Sequence, residues 1–390
     1  MSLLGRKIAV IGGGIAGLAV SRALALRGAS VTVLEQAPEI TEVGAGLQIS
    51  PNGFAVLDAL GLGEDLVQAA VRGEAVSLRD YRKSEVVRLD LTRLENRNYF
   101  FVHRADLIDL LAAGARDAGV KIRLLQQVQD VIPGSPPTIC LQNGSKLHPD
   151  LVIGADGLHS ATRIALNGAD NPFFTHQVAW RTVIPNSMGL GPVARVHMGP
   201  GRHLVSYPLR DGKDINIVAV QERRQWMEEG WHHTDSPENL RAAFAAFGPE
   251  VQEMLAQVSD VRLWGLFRHP VATRWYGENT VILGDAAHPT LPFLAQGASM
   301  GLEDAWALAD ELSTCDSINA GLVSYQNRRH ARATKVINAA TGNAWKYHLG
   351  FAPLRFAAHT ALKLGGALMP DRMMHQFDWL YLHDETRRGA

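Results

Sequence analysis

Three short segments rich in glycine and aspartate each follow a run of aliphatic residues, and this arrangement restricts the chain to an open α/β sheet. They are Gly12-Gly13-Gly14-Ile15-Ala16-Gly17 after Ile8 to Ile11, Gly154-Ala155-Asp156-Gly157 after Leu151 to Ile153, and Gly284-Asp285-Ala286-Ala287-His288-Pro289 after Val281 to Leu283. Short continuous apolar runs of this kind read as buried parallel strands. Each motif then lies at the carboxyl end of a strand, where such sheets bind their ligands. A single match would say little; three in this order are specific.

The first motif has a direct physical reading. Gly12 permits the tight turn out of the strand, Gly14 lets the backbone approach a pyrophosphate, and Gly17 lets the following helix pack closely on the strand. The segment Ile15 to Gly28 is expected to be helical, with Leu18, Ala19 and Leu24 available for burial. Its amino terminus offers free N–H groups and a positive dipole end to the pyrophosphate. The next strand, Ser30 to Leu34, leads to Glu35, roughly the 20 residues beyond the first glycine at which a ribose-binding acid is expected. A carboxylate there repels a 2′-phosphate. The expected ligand is an unphosphorylated adenine dinucleotide, FAD or NAD.

Composition fits a globular enzyme. The 390 residues are 46% hydrophobic and 20% charged, with a formal net charge of −1. That balance gives no electrostatic case for nucleic acid or an anionic membrane. Cys140 and Cys315 are too few and too isolated for a disulfide framework, a zinc site or a redox pair, so no metal is expected and a reducing cytoplasm is. Four glycines interrupt the apolar stretch Ile8 to Val20, and neither a basic leader nor a cleavage site accompanies it. It does not read as a signal peptide. No run approaches the roughly 18 apolar residues of an integral membrane segment.

Along the chain the nucleotide-binding part is interrupted. A loop with a strand-like centre, Gly44 to Asn52, precedes a helix from about Gly53 to Leu60. Alternating apolar residues between about 74 and 102 suggest antiparallel strands. A helix opens at His103-Arg104 and runs to about Ala118. Strand-like runs recur at Gln177–Ile184, Ala194–Met198, His203–Leu209 and Asn216–Gln221. The stretch from Trp226 to Phe247 reads as helical, with Ser236-Pro237-Glu238 as its start signal. The expected division is 1–73, 103–171 and 269–316 for the nucleotide-binding domain, with 74–102 and 172–268 forming a sheet-rich second domain. Residues 317–390 follow as helices, broken at Gly350, Gly365-Gly366 and Pro370. Trp345, Met369, Met373, Met374 and Trp379 in this tail could cover the active site, build a dimer interface or touch a membrane; the core-like spacing of 345, 348 and 352, followed by Leu354, Phe356 and Ala357, favours packing on the nucleotide-binding domain with dimerisation as a further use.

The order GxGxxG with a ribose acid, then Asp-Gly, then Gly-Asp-Ala-Ala-His-Pro resembles the single-component FAD-dependent aromatic hydroxylases, a group that includes p-hydroxybenzoate hydroxylase. The resemblance covers essentially the whole chain. Its most specific part is Gly284 to Pro289, continuing into Ala295-Gln296-Gly297-Ala298 and Glu303-Asp304-Ala305. It implies an α/β fold in which a Rossmann-type FAD-binding domain is interleaved with a smaller mixed β-sheet substrate domain, plus C-terminal helices. By the same resemblance Gly12, Gly14, Ile15, Ala16, Gly17, Glu35, Gln36, Gly46, Arg104, Val128, Asp156, Asp285, Gly297 and Ala298 are candidate cofactor contacts. Asp285 matches the aspartate on the ribityl chain, and Asp156 matches one implicated in pyridine nucleotide binding. The single dinucleotide fingerprint and the lack of a CxxC pair argue against flavin disulfide reductases and two-fingerprint monooxygenases. NADH or NADPH would visit to reduce the flavin. In the resembled family dioxygen then forms a C4a-hydroperoxide that hydroxylates an electron-rich ring. A flavin-dependent reductase or oxidase, or a non-catalytic FAD-binding redox module, stands as the alternative.

The run Gly199 to Leu209 bears on the base. If His203 to Tyr207 is a strand, His203 and Tyr207 share one face, and an imidazole titrating near neutrality suits removal of a phenolic proton. With Ala179-Trp180-Arg181 and Asn216 to Val220, this run resembles the branch of salicylate, 3-hydroxybenzoate and 6-hydroxynicotinate hydroxylases. There the residue matching His203 is the base, the one matching Tyr207 contacts the substrate, and Gln296 matches a substrate-side position. Gln48 and Phe293 stand where the hydroxynicotinate branch has histidines, which favours a benzenoid substrate. Arg181 either pairs with a substrate carboxylate or forms a structural salt bridge. Pro292, unable to donate from its backbone, leaves its carbonyl free to face a ring. His288 is expected to satisfy loop carbonyls. The expected assembly is a monomer or homodimer that takes a small aromatic substrate and dioxygen.

Overall fold

The computed structural model describes residues 2–40, 45–82, 85–94, 98–169, 171–223 and 233–387, with the backbone alone for 343–345. The expectations for Gly44, for residues 226–232 and for the Trp345 side chain lie outside the described residues.

A six-stranded sheet carries the three motifs. Its order is Tyr276–Gly277, Thr280–Ile282, Leu151–Gly154, Lys7–Ile11, Ser30–Leu34 and Lys121–Arg123, parallel apart from the first short hairpin. The register sets Ile11 opposite Gly154 and Gly154 opposite Ile282, so the three glycine-bearing turns leave the sheet along one edge. Alternation explains why the strands are apolar throughout. Ile8 and Val10 meet the helices Ile15–Ala25, Arg104–Asp117 and Gly297–Thr314. Ala9 and Ile11 meet a small sheet built from Val128–Ile132, Thr138–Leu141 and Lys146–Leu147. That small sheet was not legible in sequence, because its strands are short and largely exposed on one side.

The second sheet has eight strands, in the order Thr234–Asp235, Val261–Arg268, Phe173–Pro185, Asp214–Glu222, Arg202–Leu209, Val193–Gly199, Ala75–Asp80 and Glu85–Asp90. All neighbours are antiparallel except Val193–Gly199 against Ala75–Asp80. One face packs Trp180, Leu204, Ile217 and Ala219 against the helices Pro237–Ala243 and Pro249–Ala256. The opposite face turns toward the first sheet and receives Leu291 and Phe293 from the loop after the third motif.

The C-terminal region departs from expectation in two ways. Gly365-Gly366 does not break a helix: Ala352–Leu368 runs through it unbroken. A Cβ on Gly366 would stand 2.6 Å from Cγ2 of Val87, so the glycine serves close approach to the second sheet. The tail also packs on that sheet rather than on the nucleotide-binding domain alone, with Tyr347 and Leu362 against Val86, Val196 and Met198. Among the described residues no helix is long and apolar enough to cross a membrane.

Candidate active site

The dinucleotide end of the cleft is built from backbone. Gly12 has φ +102°, and a Cβ on it would meet the Ala155 carbonyl oxygen at 2.3 Å; one on Gly17 would meet the Gly12 carbonyl oxygen at 2.1 Å. Both positions are closed to any side chain. Gly14 differs, since a Cβ there meets nothing within 4 Å. It faces open space at the start of Ile15–Ala25, a helix that begins with no capping side chain and no acidic residue in its first turn. Glu35 holds the turn by accepting from the N–H of Gly13 at 2.7 Å and of Ala37 at 2.8 Å. Gln36 is exposed beside it, and Val128 is half-buried on the small sheet.

Asp156 is occupied locally. Its two oxygens accept from Ser160 Oγ at 2.5 Å and from Thr162 Oγ1 at 3.1 Å, which shapes the turn into the helix Ala161–Asn167. Asp285, by contrast, is exposed. Burial lowers the Arg104 guanidinium from its ordinary value, while the charge of Asp285 acts on it in the opposite sense.

The loop carrying Asp285 is clamped from behind. Arg163, buried, donates to the carbonyls of Ala286 at 3.0 Å, Ala287 at 3.1 Å and Pro270 at 2.6 Å. His288 pairs with Asp304 at 2.5 Å rather than with loop carbonyls, because the helix Gly297–Thr314 lies directly behind the loop. The same Asp304 carboxylate accepts the Gly284 N–H at 2.9 Å and Arg329 Nε at 2.8 Å. Arg329 in turn binds Glu303 and Glu385, each at 2.7 Å. Glu303, His383 and Glu385 could gather round a cation by position, but Arg329 and Arg332 already match the two carboxylates. Glu303–Thr314 lies in a helix that begins at Gly297 with no side-chain cap, leaving the N–H groups of its first turn, near Gly297 and Ala298, open toward the cleft.

Strand register brings the remaining candidates together. His203 pairs with Val220, Tyr207 with Asn216, and Arg181 with Val218, which itself pairs with Val205. All three named side chains therefore share the face that receives Phe293. Arg181 sits in the row between the other two, two strands away, a separation of about 10 Å at the usual strand spacing. The His203 ring lies 5.8 Å from Phe293 and 5.3 Å from Tyr347. Burial, reinforced by neighbouring His348, holds its imidazole well below the ordinary value, so it stands neutral and able to accept a proton. Burial likewise raises the Tyr207 phenol.

Arg181 makes no ion pair with any described residue. Its guanidinium stacks on Trp264 at 4.5 Å, and its Nε is buried without a hydrogen-bond partner. Burial pulls it down to about 10, with Tyr207 opposing and Arg104 adding to the effect. It remains a cation at neutral pH. The structural salt bridge open from sequence is thus not made among the described residues, and its charge lies on the sheet face that receives Phe293.

The other substrate-side candidates fall differently. Gln48 accepts from the Tyr99 hydroxyl at 2.7 Å and stands beside Tyr207. Pro292 begins a short turn and is half-buried next to Phe293. Gly46 donates to Asn216 Oδ1 at 2.6 Å, which ties it to the substrate sheet. Gln296 departs from the expected substrate contact. It is buried, with its amide nitrogen on Ser50 Oγ at 2.9 Å and its oxygen accepting from Asn52 at 3.1 Å. Ala295, at φ +53°, turns the chain so that the next side chain points into this polar core rather than the cleft.

A family profile described as "FAD binding domain" matches residues 6–340. The 3-amino-4-hydroxybenzoate 2-monooxygenase of Streptomyces cremeus is 34% identical over 361 residues, 89% of each chain. The 3-hydroxybenzoate 6-hydroxylase of Klebsiella oxytoca is 32% identical, covering 95% of each. The chain belongs to this FAD-binding family. A salicylate hydroxylase substrate complex superposes with a TM-score of 0.82 at 24% identity over 98% of this chain and 96% of that one, and shows the same fold. This protein is a flavoprotein monooxygenase of the aromatic hydroxylase type, with FAD as its cofactor.

The open space at Gly14, the two uncapped helix starts and the exposed Asp285 all fit FAD. Sequence reasoning missed the parts of this flavoprotein that lie behind its cleft: Arg163, Arg329, Glu385, Tyr347 and His348. Buried arginines and a C-terminal glutamate carry no local pattern. Only the unusual density of Arg328, Arg329 and Arg332 along one helix could have pointed to the clamp.

Proposed function

We propose that this monooxygenase hydroxylates a small phenolic carboxylate of the hydroxybenzoate class, with Arg181 receiving the carboxylate and His203 the phenolic proton. The observation that supports it is the unpaired Arg181 guanidinium on the same sheet face as the neutral His203 imidazole. FAD, reduced by NADH or NADPH, supplies the activation of dioxygen. The chain's own residues bind the ring, orient it and shut out water. Phe293, Tyr347 and Trp264 make the chamber apolar, which strengthens the attraction between Arg181 and an anion. A bidentate contact to Arg181 fixes the ring's direction. His203 Nε2 takes the proton, which leaves an electron-rich phenolate for attack. The named relatives are hydroxylases of such hydroxybenzoates and support this substrate class. Two free, separated cysteines support a reducing, cytoplasmic setting.

The test is NADH and NADPH oxidation in air by FAD-loaded protein, with salicylate, 3-hydroxybenzoate, 4-hydroxybenzoate and 6-hydroxynicotinate, followed by product identification. Stimulation with a hydroxylated benzoate supports the assignment. Peroxide alone, or no stimulation by any of the three benzoates, refutes the substrate class. Arg181→Met should raise KM for the active benzoate at least tenfold and leave that of the corresponding neutral phenol within about twofold, because only the anion uses the cation. An equal change for both removes Arg181 from carboxylate recognition.

A further inference from the structure

Behind the base runs a continuous line of proton-carrying groups that reaches the surface. His203 Nδ1 lies 2.7 Å from His348 Nε2, and His348 Nδ1 lies 2.9 Å from Glu222 Oε1. His203 is 2% exposed and His348 5%, whereas the Glu222 side chain is 53% exposed. One end is therefore sealed in the chamber and the other is in water. We propose that His348 and Glu222 form a proton relay that sets the tautomer of His203 and carries the substrate's phenolic proton between the chamber and solvent. The inference rests on His203 being the base, as in the proposed function.

The direction of each hydrogen bond follows from the end of the line. A carboxylate only accepts, so His348 must donate to Glu222 from Nδ1. Its Nε2 is then bare and accepts from His203 Nδ1–H. That leaves the lone pair of His203 on Nε2, which makes no hydrogen bond among the described residues. The surface carboxylate thus selects the one tautomer in which the chamber-facing nitrogen is a base, as second partners of histidine commonly do.

The transfer balances. The phenolic O–H bond breaks and its proton joins His203 Nε2, while Nδ1–H passes to His348 Nε2. The Nδ1 proton of His348 passes to the Glu222 carboxylate, which exchanges it with water. No net charge stays on the buried imidazole, where burial already disfavours the cation. When the product phenol forms, a proton returns along the same line and restores both tautomers.

The backbone fastens these parts. The His348 carbonyl accepts the Gly201 N–H at 3.1 Å, and the Gly201 carbonyl accepts the Glu222 N–H at 2.8 Å. The groups facing the relay are few: Arg202, whose charge lowers His348, Glu222, which raises it, and the rings of Tyr347 and Phe293 beside His203. Burial is the largest influence on His348 and lowers it, so both imidazoles are neutral in the working range. Neither histidine has a second carboxylate partner among the described residues.

Four variants test the relay in the FAD-bound enzyme. Long-range ¹H–¹⁵N spectra of histidine-labelled protein, assigned with His203→Asn and His348→Asn, report the tautomers without any substrate. The wild type should carry its His203 proton on Nδ1. Glu222→Gln replaces a group that only accepts by an amide that can accept or donate, so both histidines should become mixtures of tautomers and the base should weaken; Glu222→Asp should retain the wild-type tautomers. With 3-hydroxybenzoate as the probe, phenolate absorbance on binding and proton release to an indicator dye should slow at least tenfold in Glu222→Gln and His348→Asn. In those variants the acid limb of kcat/KM should also move up toward the phenol's own ionisation. FAD content should stay at the wild-type level, since Glu222 lies at the surface. A wild-type His203 protonated on Nε2, or proton release at the wild-type rate in both variants, overturns the relay. If the tautomers are as stated and no hydroxybenzoate is hydroxylated, the relay stands and the substrate class fails.

Discussion

Gly46 and Tyr207 are packed so closely that a Cβ atom on the glycine would lie 2.6 Å from Cε2 of the tyrosine ring. The same atom would lie 2.8 Å from Asn216. Gly46 belongs to the strand Gly46–Ile49, which pairs with Phe100–His103, and the other two belong to the eight-stranded sheet. This contact therefore sets how closely the strand Gly46–Ile49 approaches the eight-stranded sheet. Gly46→Ala should push Tyr207 aside and raise KM for the aromatic substrate about tenfold, with a stability loss of about 1–3 kcal/mol from overpacking. Steady-state kinetics beside thermal melts check it. Unchanged KM would show that Tyr207 does not shape the chamber.

The glycines of the first motif separate structure from ligand binding. Gly14→Val adds a side chain into open space, so the apo protein should melt as the wild type does, while FAD is excluded. Gly17→Ala should destabilise even the apo protein, because its Cβ collides with the Gly12 carbonyl oxygen at 2.1 Å. Flavin absorbance after purification and apo-protein melting temperatures decide the matter. Full FAD content in Gly14→Val would move the pyrophosphate away from this helix.

The sequence was most legible where one residue type does one job at a fixed place. The glycines of the three turns, the acid Glu35 at the end of the second strand and the period of two through His203 and Tyr207 are local features, and the strands and turns they foretell are present. What was hidden depends on packing across long separations. Gln296 occupies a substrate-side position by resemblance, yet the left-handed turn at Ala295 directs it to Ser50 and Asn52. Gly365-Gly366 carries a helix-breaking composition, yet close contact with Val87 outweighs the propensity cost of about 1 kcal/mol per glycine. His348 lies 145 residues from the histidine it touches, and no spacing rule links them.

Burial of His203 also fixes a pH response. Its folded value is depressed, so the neutral, proton-accepting form persists as pH falls below the ordinary imidazole range. The acid limb of kcat/KM for the wild type should therefore sit below about pH 6.5, the unperturbed value. Stability follows the same sign: it is fully present above that value and falls as acid forces a charge onto the buried ring. Rate measurements from pH 5 to 8 test this, and an acid limb above 7 would assign the base elsewhere.

The clamp behind the flavin loop should be the acid-sensitive part of the fold. Burial alone would raise the Glu303 carboxyl, yet Arg329 and Arg332 overcome it and hold Glu303 down at about 2. Asp304 and Glu385 are lowered in the same way, against burial, by His288 and Arg329 for the first and chiefly by Arg329 for the second. A depressed folded value means that the stabilisation is present above the unfolded value of 4.5 and is lost as pH falls toward about 2. Melting temperature should thus drop steeply across that window. Glu303→Gln leaves buried arginine charge uncompensated, so it should cost about 3 kcal/mol at pH 7 and show a shallower acid slope than the wild type. Glu385→Gln should act further out. It loosens Arg329, which holds Asp304, which in turn holds Gly284 and His288 on either side of Asp285. FAD dissociation should quicken several-fold in that variant, with substrate KM in FAD-saturated enzyme unchanged. If FAD release is unaffected while stability falls, the C-terminal contact holds the fold together without holding the cofactor loop.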